Sequence, residues 1–158
     1  MAFKKGLMLM WTVSDTDARD FSKDEATLDN RLKEIAALIP QPLKKRRGNN
    51  VEFAQKAFTL LKDCGLVTEK IIKALNDPRW CNETFKMKMN PLGGVLRQEG
   101  LPMYDSGLRY YTKHAVICKG VRYYISNDWF SDDKPRPTKR AFFGWLSIIV
   151  KIVWRQRK

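Results

Sequence analysis

Leu28, Leu32, Ile35 and Ile39 recur every three or four positions, the spacing that lines one face of a helix. Ser22-Lys23-Asp24-Glu25 precedes them in the Ser-x-x-Glu form of a capping box, in which each side chain satisfies the other's backbone N–H. Pro40 and Pro42 end the predicted helix. Phe53, Ala57, Leu60 and Leu61 mark a second helix, stopped by Gly65. A third, near 68–76, is capped by Thr68 and carries Ile71, Ile72 and Leu75. Asp77-Pro78 and Asn90-Pro91 each put a good N-cap residue before a proline at the first helical position, which predicts short helices over 78–86 and 91–98. The last of these contains Gly93-Gly94, and each glycine inside a helix costs about 1 kcal/mol relative to alanine. The pair fits a tight backbone contact, or a loop, as well as it fits a helix.

The period then changes from helical to two. Residues 110–118 and 121–130 read as strands, and Lys119-Gly120 supplies a turn in which glycine can take a positive φ. Strict alternation puts Tyr110, Thr112, His114 and Val116 on one face and Tyr111, Lys113, Ala115 and Ile117 on the other. Such a ribbon is marginal alone and needs a body to pack on. A polar loop with two prolines follows. The helical pattern then returns: Arg140, Gly144, Ser147, Lys151 and Arg155 form a polar stripe, with Phe142, Trp145, Leu146, Ile149, Ile152 and Val153 between them. This predicts an amphipathic closing helix that covers the core. At the other end, residues 1–13 are apolar and methionine-rich, a strand or an extended arm, and 14–20 read as a charged loop.

These elements predict an α+β, mainly helical chain. Residues 1–43 form an N-terminal segment and helix, 44–50 a basic linker, and 51–158 a body closed by the last helix. The apolar run after Lys4 and Lys5 is short and lacks a small-x-small cleavage site, so it is not read as a signal peptide. The apolar stretch near the C-terminus is shorter than the roughly 20 residues needed to span a bilayer. Cys64, Cys81 and Cys118 are odd in number and widely spaced, with no Cys-x-x-Cys pair; Cys64 and Cys118, among apolar neighbours, read as packed small hydrophobes, and reduced cysteines fit a cytoplasmic protein.

Charge changes the picture. The chain holds 30 Lys plus Arg against 17 Asp plus Glu, a formal net charge of +13. Residues 1–43 contain 6 basic and 7 acidic residues, net −1, whereas 44–158 contain 24 and 10, net +14. An excess confined to one part of the chain points to a polyanionic partner, nucleic acid first.

Catalytic signatures are absent. The single histidine, His114, rules out a multi-histidine metal centre, and no GxxxxGK[ST], GxGxxG or GxSxG occurs. No cofactor is expected, and catalysis is not the favoured reading.

Helices near 68–76, 78–86 and 91–98, followed by strand, turn and strand, resemble the winged helix-turn-helix class. The pattern "GLVTEKIIKALNDPRWCNETF…RYYTK…GVRYYISNDWF" also loosely resembles tail regions of bacterial restriction-associated and uncharacterised proteins. The winged-helix resemblance implies a recognition helix at 91–98 in the major groove, with Lys86, Lys88 and Arg97 near DNA. It implies a wing carrying Lys113, Lys119 and Arg122. The basic run Lys44, Lys45, Arg46 and Arg47 adds a further phosphate-contact candidate. The expected function is non-catalytic nucleic-acid binding, DNA favoured. The alternatives are a protein-binding inhibitor or adaptor of phage or mobile-element origin, directed at an acidic or nucleic-acid-binding protein, and a small nuclease. A membrane partner is not favoured.

Overall fold

The helices form where apolar spacing meets good end signals. The computed structural model describes residues 11–14, 25–40, 47–88, 93–101, 109–130 and 137–157. The first helix, α1 (Glu25–Ala36), buries Leu28, Leu32 and Ile35, and Ile39 is buried just beyond its end. The capping-box residues Ser22 to Asp24 lie outside the described residues, as do the predicted arm at 1–10 and most of the charged loop after it.

α2 (Arg47–Asp63) starts earlier than expected, so the last four positions of the predicted 44–50 linker are helical. Tertiary contacts hold this first turn: Asn49 Oδ1 accepts from Lys139 Nζ at 2.6 Å, and Asn50 Nδ2 donates to Trp129 O at 3.5 Å. The helix ends where Gly65 takes φ +74°. Leu66 N–H donates to Leu61 O and Gly65 N–H to Lys62 O, the bond pair of a Schellman motif.

α3 (Glu69–Leu75) and α4 (Pro78–Phe85) follow their caps closely. Thr68 Oγ1 accepts from Ile71 N at 3.3 Å, and Asp77 Oδ1 accepts from Arg79 N at 2.9 Å and Trp80 N at 3.2 Å. Each cap satisfies donors that the first helical turn leaves without an intrahelical partner.

The helix predicted over 91–98 is not what the chain forms. Asn90 and Pro91 lie outside the described residues, and Leu96–Gln98 is a strand, β2. The double glycine supplies the reason. A Cβ on Gly94 would collide with Cys81 Sγ and lie 2.7 Å from Leu75 O; one on Gly93 would lie 2.9 Å from the Tyr110 hydroxyl. The backbone here is pressed against the α3–α4 junction and spends its polar groups sideways. Tyr110 Oη donates to Gly94 O at 3.1 Å, Val95 N donates to Cys81 Sγ at 3.4 Å, and Ser126 N donates to Val95 O at 2.7 Å. Of the alternatives open for Gly93-Gly94, the close backbone contact is the one the structure adopts.

β1 (Trp11–Ser14), β3 (Tyr110–Cys118) and β4 (Val121–Ser126) complete a mixed sheet in the order β1-β3-β4-β2. β1 runs parallel to β3, and β4 pairs antiparallel with both β3 and β2. β4 stops at Ser126 instead of continuing to Phe130: Ser126 Oγ accepts from Asp128 N at 3.0 Å, turning the chain, and Trp129 enters the core. The expected alternation along β3 also fails. Tyr110 pairs with Ser126 and Ala115 with Tyr124, five steps along β3 against two along β4. The extra residues bulge, and within the bulge the neighbours Thr112 and Lys113 are both exposed; beyond it, in the regular ladder, Ala115 and Val116 are both buried.

α5 (Thr138–Arg157) covers the core as predicted, burying Phe142, Leu146 and Val150. The Phe142 ring lies 5.0 Å from Phe85, 5.2 Å from Trp129 and 5.8 Å from Phe58. One apolar cluster joins residues of all five helices to Val13, Leu96, Val116, Cys118 and Ile125 of the sheet. All three cysteines are free and buried. Burial pushes the Cys81 thiol up to about 12; the Val95 N–H opposes that rise and the Asp77 charge adds to it. Among the described residues, no helix is long and apolar enough to cross a membrane.

Candidate nucleic-acid interface

The β3–β4 turn is built from two residues with positive φ, Lys119 at +50° and Gly120 at +81°. That pairing suits a two-residue hairpin loop because its twist matches the right-handed twist of the strands. Glycine adopts it without penalty, and the lysine is carried with it. Lys119 therefore projects from the end of the ribbon, exposed, with Nζ 3.8 Å from Glu69 Oε1 on α3.

A cleft of about 490 Å³ separates this turn from α3. Glu69, Lys73, Asn76, Lys119, Val121 and Tyr123 are among its lining residues. The buried Oδ1 of Asn76 has no hydrogen-bond partner among the described residues.

A second group gathers around Tyr124. Arg97 on β2 is paired in register with Tyr124, and Arg122 lies two positions along β4, hence on the same face. Arg122 Nε is 3.8 Å from Glu99 Oε1, and Tyr124 Oη donates to Glu99 Oε2 at 3.1 Å. Glu99 N donates to Arg122 O at 2.8 Å, so the chain leaving β2 is tied to β4. Arg122 Nη1 is buried and has no hydrogen-bond partner among the described residues. Both tyrosine hydroxyls on β4 are held above their usual range. For Tyr123 the cause is burial, then the nearby Cys118 and Glu69. For Tyr124 it is burial, then the hydrogen bond to Glu99 and its charge, with Arg122 opposing. Both stay neutral phenols at pH 7.

The fold disperses the remaining cations predicted to act together. Lys86 is exposed at the C-cap of α4 with φ +62°, and Lys88 is exposed beyond the buried Met87. Lys113 is exposed on the bulge of β3. It is at most about 20 Å from Lys119 at roughly 3.3 Å per residue and makes no ion pair among the described residues. Lys44, Lys45 and Arg46 lie outside the described residues, and Arg47 opens α2. The structure thus brings Arg97 and Arg122 together, sets Lys119 beside α3, and leaves the others on separate elements.

Three features stand outside the site residues expected from the sequence. The first is that Glu69 and Glu99 meet Lys119 and Arg122, contacts between elements 50 and 23 positions apart in the chain. The second is α5, whose exposed side carries Arg140, Lys151 and Arg155 and whose whole length contains no acidic residue. The stretch 134–158, with eight basic and no acidic residues, was a visible signal for it. The third is an aromatic contact between β1 and β3: Trp11 and His114 ring centroids are 5.6 Å apart.

Among the described residues, no group of three or more His, Cys, Asp or Glu side chains is placed to hold a metal ion. Asp63, whose carboxylate faces Arg31 at 3.3 Å, is buried between α1 and α2, and Glu69 faces Lys119. No protein-family model, curated protein or solved structure matches this chain.

Proposed function

We propose that the protein binds nucleic acid without cutting it, DNA favoured, in the cytoplasm. The carrying observation is the net +14 confined to residues 44–158. The hairpin acts as a wing that follows phosphates, with Lys119, Arg122 and Arg97 nearest the backbone. Lys86, Lys88, Lys113 and the run Lys44, Lys45, Arg46 and Arg47 widen the electrostatic footprint. With β2 in place of a recognition helix, the winged-helix likeness narrows to the ribbon, and binding relies on phosphate contact more than on reading bases.

The ion pairs give this reading a specific form. Both pairs are long; Lys119–Glu69 is exposed, Arg122–Glu99 has a half-buried arginine, and exposed pairs are worth about 0–1 kcal/mol. A phosphate can replace either carboxylate at small cost. A mobility-shift panel of duplex and single-stranded DNA and RNA at two salt concentrations tests the proposal. Wild type should weaken steeply with salt, by a log–log slope of about 0.9 per duplex phosphate neutralised. Lys119→Ala with Arg122→Ala should flatten that slope by about 2, and Glu69→Gln with Glu99→Gln should tighten binding by removing a competing negative charge beside each cation. Failure of the wild type to bind any of these polymers at low salt would overturn the proposal.

The second reading, a protein-binding inhibitor or adaptor, draws on α5, where Ile148 and Ile152 are exposed one turn apart. A protein partner bound with little salt dependence would favour it.

A further inference from the structure

The break in the β3–β4 ladder leaves a space. Between the pairs Tyr110–Ser126 and Ala115–Tyr124, a cleft of about 180 Å³ opens, lined by Tyr110, Tyr111, Thr112, Lys113, His114 and Asn127. It is smaller than the roughly 300–1,000 Å³ of drug-sized sites, and its size suits one flat ring.

Its walls suit the same guest. The Tyr111 and His114 rings meet edge to face, with centroids 5.2 Å apart. Trp11 on the neighbouring strand supports His114 from β1. The Tyr110 hydroxyl is already donated to Gly94 O, so that residue is a fixed wall and not a free donor. His114 Nδ1 is buried and has no hydrogen-bond partner among the described residues. A buried polar atom normally has one, and here a ligand group can supply it. Desolvation, then the adjacent Lys113 charge, lowers the His114 pKa, so the ring is a neutral imidazole at pH 7. Lys113 stands exposed at the cleft's rim.

We infer that this cleft takes an unpaired nucleobase of a single strand, stacked on Tyr111 and hydrogen-bonded at its edge to His114 Nδ1, with Lys113 on the adjoining phosphate. The assignment rests on the nucleic-acid reading above and adds to it a strand type and a base-contacting residue. Aromatic stacking accepts any base, because every base has a π-face, so the site selects unpaired over paired strands more than one sequence over another. The phosphate contacts lie farther along the ribbon, Arg122 opposite Ile117 and Lys119 at the turn, about 10 Å and about 17 Å from His114 at roughly 3.3 Å per residue, a span that a strand running along β3 can follow.

The test compares a short single-stranded DNA, its RNA counterpart, a duplex, and an abasic strand of equal length that keeps every phosphate. His114→Ala should weaken binding of the two base-containing single strands by about tenfold, the scale of one lost hydrogen bond, and leave the salt slope unchanged. It should leave the duplex and the abasic strand unaffected. In the wild-type protein the His114 ring resonances should move on adding a base-containing strand and stay in place with the abasic one. This measurement holds whether or not the variant folds, and His114→Gln gives a second, milder substitution. Unaltered binding by a folded His114→Ala, or equal resonance shifts with the abasic strand, would reduce the cleft to a notch in the sheet. That outcome leaves the phosphate reading intact, whereas failure of the wild type to bind any strand removes both.

Discussion

Lys139 at the start of α5 and Lys119 at the hairpin turn are the same residue in opposite settings. Lys139 is 0% exposed; its Nζ donates to Leu38 O at 3.0 Å and Asn49 Oδ1 at 2.6 Å, and lies 5.6 Å from the centre of the Phe53 ring. No carboxylate faces it among these contacts, and burial lowers its pKa to about 8. Lys119 is exposed and faces Glu69 across a solvent-accessible cleft. The α5 region thus uses a cation as a cross-link inside the core, binding the end of α1 to the first turn of α2. The hairpin region holds its cations loosely, where a phosphate can replace their partners. A count of charges weighs both lysines equally, but only one is available to a polyanion.

If the α5 region is structural, damage there should be large. Phe142→Ala removes a fully buried ring at the centre of the aromatic cluster and should cost about 3–5 kcal/mol. Denaturant unfolding followed by tryptophan fluorescence measures this. Trp145→Ala, at a partly exposed ring, should cost less. Equal and small losses at both positions would mean that α5 is peripheral to the core.

The Lys139 contrast is sharpest as a function of pH. Its folded pKa lies below the free value of 10.5, so between about 8 and 10.5 the unfolded chain binds more protons and stability rises with pH. The cost of the buried charge is fully present below pH 8 and is relieved by 10.5. Relative to Lys139→Met, which cannot titrate there, the wild type should therefore gain up to about 3 kcal/mol across that window. Using the variant as reference removes the opposite trends of Cys81 and Tyr111, whose folded pKa values are both raised to about 12. A constant difference between the two proteins from pH 8 to 10.5 would show that Lys139 keeps an ordinary pKa and reaches water.

The smallest stability effect belongs to the hairpin. Lys119→Ala with Arg122→Ala should change unfolding free energy by less than about 1 kcal/mol per ion pair removed, a shift in Tm of a few degrees at most. Circular dichroism should be unchanged. A large loss would mean that these pairs lock the ribbon to α3 and to the end of β2, and the two regions would no longer differ in kind.

Local chemistry was legible. Apolar spacing located α1, α2 and α5. Thr68 and Asp77 marked the starts of α3 and α4, Gly65 the end of α2, and Lys119-Gly120 the hairpin turn. These features depend on groups within a few positions of one another: a side chain satisfying a nearby N–H, or a glycine free to take positive φ. The candidate site was legible only as a list of cations. Which ones gather, and which carboxylates meet them, depends on strand register and on where α3 lies.

The misreadings share that origin. Asn90-Pro91 promised a helix over 91–98, yet Gly93-Gly94 lets the backbone press on Cys81 and Leu75, and hydrogen bonds to Tyr110, Cys81 and Ser126 draw the segment into the sheet. Strict alternation along β3 was broken by a bulge that pairing with β4 alone defines. The first turn of α2 read as linker because its support comes from Trp129 and Lys139, some 80 to 90 positions away. What the sequence determined by itself were the element types set by local hydrogen bonding and by the period of burial, together with the total charge. Register, the meeting of glutamates with the hairpin cations, and the burial of one lysine beside the exposure of another were decided only by tertiary structure. Each of these depends on groups far apart in the chain, whose energies exist only once the elements have packed.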